Sequence, residues 1–215
     1  MTRQEPLPPA RGGAPACASR KEAGAVLPPR PFGVILADPP WRFVTWSAKG
    51  EGRSPQRHYR TMTVDEIKAM PVAASAGRDC ALFLWTTWPH LPLGLEVIAA
   101  WGFQYSGSGF VWFKTWPRGE RLPADARGFA IGGGKTSRKN TEPCLLAFRG
   151  HPRRLNADVR EVIIAPRREH SRKPDCAYES IERLYRGPYL ELFSRTDRRG
   201  WTSWGDQAGK FGSAG

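Results

Sequence analysis

The sequence predicts an α/β domain whose mostly parallel sheet is covered by helices on both faces. Short continuous apolar runs such as VILA (34–37) and ALFLW (81–85) read as strands buried on both sides, because neither shows the polar alternation of a half-exposed strand. Segments with helical spacing lie between them, and that alternation implies parallel strands joined by crossovers. The chain has 215 residues, enough for one substantial core and too few for two ordinary domains once a tail is set aside.

The elements follow in order. Residues 1–30 hold mostly Pro, Ala, Gly and a few charges, so burial cannot offset their ordering entropy. They read as a disordered tail. FGVILAD (32–38) is a buried strand, and TVDEIKAM (63–70) is a short helix capped by Thr63 with Glu66 three residues on. CALFLWT (80–86) is a second buried strand. LGLEVIAAW (93–101) suits a helix closed by Gly102. GFVWFK (109–114), EPCLLAF (142–148) and EVIIAP (161–166) read as strands, DCAYESIERLY (175–185) as a helix, and YLELFS (189–194) as the last long strand. Between Thr115 and Thr141 the apolar pattern fails, and a connection of that length marks a functional or mobile loop.

Lysine and arginine number 33 against 20 acidic residues, a net charge of +13 with a pI near 10.2. Basic clusters fall at Arg149 to Arg154, Arg167 to Lys173 and Arg195 to Arg199. A polyanion such as nucleic acid is the natural partner, since each neutralised phosphate releases counterions. An ordinary solvated basic surface is the plainer alternative. Cys17, Cys80, Cys144 and Cys176 show no CxxC spacing, and His58, His90, His151 and His170 are scattered. Reduced thiols and no metal are therefore expected. No run approaches the roughly 20 apolar residues of a membrane helix, and APACAS (14–19) has no apolar stretch before it, so a cytoplasmic protein is expected.

GGGKTS (132–137) invites comparison with a phosphate-binding loop. That pattern needs a glycine five positions before Gly134, where Phe129 stands, and no strong strand leads into it. A glycine-rich basic loop is the better reading. No GxGxxG follows the first strand, which disfavours an ordinary nicotinamide or flavin enzyme.

ADPPW (37–41) is more informative, because ligands of open α/β sheets bind beyond the carboxyl ends of strands and Asp38 stands at such an end. Pro39 and Pro40 stop the strand and fix the local backbone, so their carbonyls and the Trp41 indole point in set directions. A strand-end turn with a capping Asp and a core Trp is the structural alternative. The chemistry that suits this cluster is gripping an amino group on a flat ring. Asp38 and the Pro39 carbonyl would accept two amine hydrogens while Trp41 stacks on the ring, a contact of about 1–3 kcal/mol for a nucleobase.

DPPW together with HYRTM, LFLWTTWP, NTEPCLLAFRG, IIAPRREHSRKPD, YLELFSR and GWTSWGDQ, in this order, resembles the MT-A70 family of adenine-N6 methyltransferases, its bacterial and phage members above all. The resemblance covers about Phe32 to Gln207. It implies a Rossmann-like methyltransferase fold of permuted motif order in a single domain (31–210), with S-adenosylmethionine as cofactor. The substrate it implies is nucleic acid, DNA before RNA, with a homodimer or partner subunit left open. It assigns Asp38, Pro39, Pro40 and Trp41 to the catalytic motif and Tyr59 to the target base. Lys173 is assigned to the cofactor's methionine carboxylate, Glu191 and Arg195 to its ribose, and Asp206 with Gln207 to ribose and adenine.

The chain departs from the family in three places. Asp206 replaces a common Asn, and Asp197 stands where the eukaryotic messenger-RNA enzyme has His. The strand and acid that precede DPPW in longer members have no counterpart in the Pro- and Ala-rich N-terminal segment. Two rivals follow: a non-catalytic nucleic-acid-binding subunit on the same fold, and a glutamine- or cytosine-directed methyltransferase.

Overall fold

A computed structural model describes residues 26–29, 31–42, 61–117, 125–134, 136–168, 172–206 and 213–214. Seven strands form the main sheet: β1 (Phe32–Ala37), β2 (Ala76–Trp85), β3 (Gln104–Thr115), β4 (Thr141–Arg149), β5 (Val162–Pro166), β6 (Tyr189–Leu192) and β8 (Trp201–Trp204). Their order is β5-β3-β4-β2-β1-β6-β8. All neighbouring pairs are parallel except those that β4 makes with β2 and β3. The expected parallel sheet thus holds one reversed strand, EPCLLAF, and the reversal has a consequence. The start of β4 lies at the carboxyl end of β1 and β2, where an acid of β4 can join Asp38. A second sheet pairs β7 (Asp197–Arg198) with β9 (Ser213–Ala214).

The strand periodicity of two sorts the apolar runs into two cores. Ile35 and Ala37 of β1, with Cys80, Leu82 and Leu84 of β2, face helices α1 (Val64–Lys68) and α2 (Leu91–Ala100). Val34 and Leu36, with Ala81, Phe83 and Trp85, face α3 (Asp175–Leu184). Helices on both sheet faces make this an α/β, Rossmann-like architecture.

Local signals act as read. Glu66 N donates to Thr63 Oγ1 (3.2 Å) and Thr63 N donates to Glu66 Oε2 (2.7 Å), a reciprocal cap on α1. Gly102, with φ +78°, closes α2 as Gly102 N donates to Ala99 O and Phe103 N to Ile98 O. Three expectations change. Leu27 is buried and the Pro28 carbonyl accepts from Ser75 Oγ (2.7 Å), so packed chain begins upstream of the boundary placed at residue 31. YLELFS is neither long nor last: β6 ends at Leu192, Phe193 takes a left-handed φ of +62°, and β8 follows. Within the 115–141 connection, Ala130 is buried and its N–H donates to Lys114 O (2.7 Å), which anchors the loop to β3.

GGGKTS opens a tight reversal in which Gly132 N donates to Lys139 O, and residues 136–140 lead into β4 with no helix. A Cβ on Gly134 would lie 2.0 Å from Ser137 O, so glycine there is a packing requirement. Cys80 and Cys144 are buried free thiols. Residues 1–25 of the expected tail, and Cys17, His58, Tyr59, Lys135, His170 and Gln207, lie outside the described residues.

Candidate active site at the carboxyl end of the sheet

β1 delivers Asp38 to the sheet's carboxyl end, and the two prolines turn the chain there. Trp41 N donates to Pro39 O (2.8 Å), Met62 N to Pro40 O (2.9 Å) and Arg42 N to Met62 O (3.2 Å). Both proline carbonyls are therefore held in fixed directions, and each keeps a second lone pair. Trp41 corrects the expectation of a stacking face. It is 4% exposed, packs among the α1–α2 core residues, and donates its Nε1–H to the Trp85 carbonyl (3.1 Å). Burial of the apolar indole wins over its exposure, so Trp41 anchors the turn.

Asp38 meets Lys173, which lies just before α3. Lys173 Nζ is 2.9 and 2.8 Å from the two Asp38 oxygens and 2.8 Å from Glu142 Oε1. Lys114 Nζ reaches Glu142 Oε2 at 2.5 Å. Two carboxylates and two ammonium groups thus form a locally neutral chain, with Lys173 (7% exposed) also 5.5 Å from the Trp85 ring centroid. Burial opposes charge on Lys173, but Asp38 and Glu142 outweigh it and raise its pKa. Burial likewise pushes the Glu142 carboxyl up, and Lys173 with Lys114 overcome that and hold it below the ordinary range. The charged forms of Lys173 and Glu142 are the stable ones here.

Glu191 behaves in the opposite way. β6 places it beside Leu36, on the α3 face, where Tyr178 Oη donates to Oε1 (2.7 Å) and Ser194 Oγ lies 3.0 Å from Oε2. Burial raises its pKa to about 7, against the lowering effect of these hydrogen bonds. Ser194 Oγ is also 2.8 Å from the Thr196 carbonyl oxygen, so its single hydrogen cannot serve both acceptors. A proton on Glu191 satisfies both acceptors at once.

Asp175, the first residue of α3, gathers the neighbouring arginines: Arg198 Nη2 lies 2.6 Å from Oδ1, Arg172 Nη2 3.8 Å from Oδ1, and Arg168 pairs with Oδ2. Arg198 also lies 4.2 Å from the Tyr178 ring centroid. Asp38, Lys173, Glu191 and Arg195 line one open cleft with Trp85, Asp175, Tyr178, Phe193 and Arg198. Trp85 contributes a buried Nε1–H without an acceptor among the described residues, the kind of donor a bound molecule satisfies. A carboxylate, paired cations, a phenol and an unmet donor fit a cofactor that carries an amino acid group and ribose hydroxyls.

The structure thus brings together four of the predicted site residues. Asp206 is exposed and is not among the residues lining the cleft. Tyr59 and Gln207 are not described. Lys173 was expected to stand ready for a carboxylate of the cofactor; two carboxylates of the chain already engage it. Sequence reading missed Glu142, Lys114, Tyr178, Ser194 and Arg198. Glu142 left one trace, an acid at the start of an apolar strand, whereas Asp38 stands at the end of one.

Comparison with known proteins agrees with this geometry. The family model described as MT-A70 matches residues 32–207. The Type II methyltransferase M.MunI of Mycoplasma sp is 28% identical over 198 residues, covering 83% of this chain and 78% of the relative. An Arabidopsis thaliana N(6)-adenosine-methyltransferase MT-A70-like protein is 34% identical over 180 residues (82% of this chain, 24% of the relative). The human N(6)-adenosine-methyltransferase catalytic subunit METTL3 is 31% identical over 180 residues (82% and 28%). The chain therefore spans most of the bacterial relative and about a quarter of the two eukaryotic ones. A family model matched from the first strand to beyond the last strand of the main sheet, over a cleft headed by Asp38, shows that the chain belongs to the MT-A70 family.

Proposed function

We propose that this protein transfers a methyl group from S-adenosylmethionine to the N6 amine of adenine in nucleic acid, with DNA preferred to RNA. The carrying observation is that Asp38, followed directly by the fixed Pro39 carbonyl, lines a cleft that Lys173 and Glu191 also line. The preference for DNA follows from the likeness of the motifs to bacterial members.

The cofactor supplies an electrophilic methyl on a sulfonium. The residues of the chain do the rest. The adenine amine is a poor nucleophile because its lone pair is delocalised into the ring. Asp38 and the free lone pair of the Pro39 carbonyl accept its two hydrogens, which draws the nitrogen toward tetrahedral geometry and turns the lone pair outward. As the new C–N bond forms and the C–S bond breaks, positive charge moves onto the nitrogen. Asp38 and Glu142 stabilise that charge from fixed positions on either side of Lys173, which together with Lys114 keeps the Glu142 carboxyl ionised beforehand. The surplus amine proton leaves to one of these carboxylates and then to solvent.

Lys173, Glu191 and Arg195 are the residues proposed to hold the cofactor, Lys173 by sharing its charge with the methionine carboxylate and Glu191 by accepting ribose hydroxyls. The decisive test is labelled methyl transfer to single-stranded DNA, duplex DNA and RNA, with the modified nucleoside identified. N6-methyladenine formed by the wild type and lost in Asp38→Asn supports the reading. Cofactor binding without transfer to any of the three would favour the non-catalytic subunit.

A further inference from the structure

Two exposed indoles stand at the same end of the sheet as Asp38. Trp88 follows β2 and is 41% exposed, and Trp116 follows β3 and is 44% exposed. Both strands run parallel to β1, directly for β2 and through the reversed β4 for β3, so both indoles leave the sheet on the side where Asp38 does. Neither is loosely held. Trp88 donates its Nε1–H to Thr141 Oγ1 (2.8 Å), one residue from Glu142. Arg167, at the end of β5, donates its backbone N–H to the Thr115 carbonyl (3.0 Å) and lays its guanidinium 4.7 Å from the Trp116 ring centroid.

The strand order turns these contacts into a line: Arg167 and Trp116 over β5 and β3, Trp88 with Thr141 over β2 and β4, then Asp38 at β1. Three inter-strand spacings separate β3 from β1, about 14 Å at roughly 4.8 Å each. The register sets Trp116 well beyond the level of Asp38 along the strands, so the diagonal from Asp38 to Trp116 is about 25 Å at roughly 3.3 Å per residue. That length spans several nucleotides of a stacked strand at about 3.4 Å apiece. Leaving two large aromatic groups in water is unfavourable, yet hydrogen bonding and a cation hold each in place. Flat faces in fixed orientation beside a guanidinium suit unpaired bases and their phosphates, because every base offers a π-face. Paired bases in a duplex offer none to the side.

We infer that Trp116, Arg167 and Trp88 form a track that binds the nucleotides flanking the target adenine on an unpaired strand. The inference rests on the adenine-N6 transfer reading for its target, and it adds the class of strand and the residues that hold it. Trp116 and Trp88 stack on flanking bases while Arg167 meets a phosphate.

The test measures binding of the full chain to a short labelled thymidine strand carrying one adenine, and to its duplex, at one fixed salt concentration. Trp116→Ala and Trp88→Ala are each expected to weaken single-strand binding roughly tenfold while Trp→Phe variants keep most of it, a contrast that a folding defect does not produce. Duplex affinity and calorimetric binding of S-adenosylmethionine should be unchanged. Arg167→Gln should reduce the salt dependence of single-strand binding by about one phosphate contact. Unchanged single-strand affinity in both alanine variants overturns the inference, as does an equal loss on duplex, or an equal loss in the phenylalanine variants. Methyl transfer by the wild type is scored separately. Transfer with tryptophan-independent binding defeats the track alone, and tryptophan-dependent binding without transfer defeats the transfer reading alone.

Discussion

Replacing Glu191 by Gln should stabilise the protein at alkaline pH and do nothing at acid pH. The Glu191 carboxyl titrates near 7 in the folded chain against an ordinary 4.5, chiefly because of burial. Its folded pKa is raised, so between these values the folded state binds more protons than the unfolded one, and stability falls as pH rises through that window. At about 1.36 kcal/mol per pH unit, the displacement corresponds to about 3 kcal/mol lost by pH 8. Glutamine removes that loss without losing the contacts. Its oxygen accepts from Tyr178 Oη, and its amide donates to Ser194 Oγ, freeing the hydroxyl hydrogen for Thr196 O. Urea unfolding of both proteins across the range pH 4 to 8 measures the gap directly. It should be near zero below 4.5 and fully open above 7, equivalent to roughly 6–12 °C in Tm for a chain of this size. A gap that does not change with pH, or a variant less stable than wild type at pH 8, would refute the assignment of a buried, reluctant carboxylate. The same variant should bind S-adenosylmethionine more weakly at pH 8, since the charge that destabilises the fold is the one proposed to accept ribose hydroxyls.

Asp38→Asn should lower methyl transfer roughly 100-fold or more while S-adenosylmethionine affinity stays within a few-fold; transfer near wild-type rate would remove Asp38 from the chemistry. Lys173→Met leaves Asp38 and Glu142 facing each other without their shared cation, so denaturant unfolding at neutral pH should show a loss of about 3 kcal/mol or more. Lys114→Met removes one of the two cations that hold the Glu142 carboxyl down, and the acid limb of the transfer pH profile should move to higher pH, with Lys114→Arg restoring it. Gly33→Ala would place a Cβ 2.8 Å from the Arg186 carbonyl within β1, and thermal unfolding should report a loss of about 1–3 kcal/mol.

Local chemistry makes much of the fold legible in the sequence. The Thr63–Glu66 cap, the Gly102 stop and the apolar runs at 34–37 and 81–85 each depend on near neighbours in sequence or on a periodicity, and the structure places each where it was read. Asp38 was legible for the same reason, since an acid after a buried strand must emerge at the sheet edge. Strand direction was not. An apolar run reads alike in either sense, so nothing in EPCLLAF announced that β4 is reversed and brings Glu142 to Lys173. Trp41 was misread because exposure is a property of what packs against a residue, and the α1–α2 core covers it.

Residue types, spacing and backbone restriction alone set the fold class, the basic balance of charge and the position of Asp38, Pro39 and Pro40 at a strand end. It took the fold to set Lys173 between two carboxylates, to bury Glu191 so that its carboxyl is pushed up to about 7, and to line up two indoles with Asp38. Those are pairings between residues far apart in the chain, and charge, pKa and exposure are set by such neighbours in space.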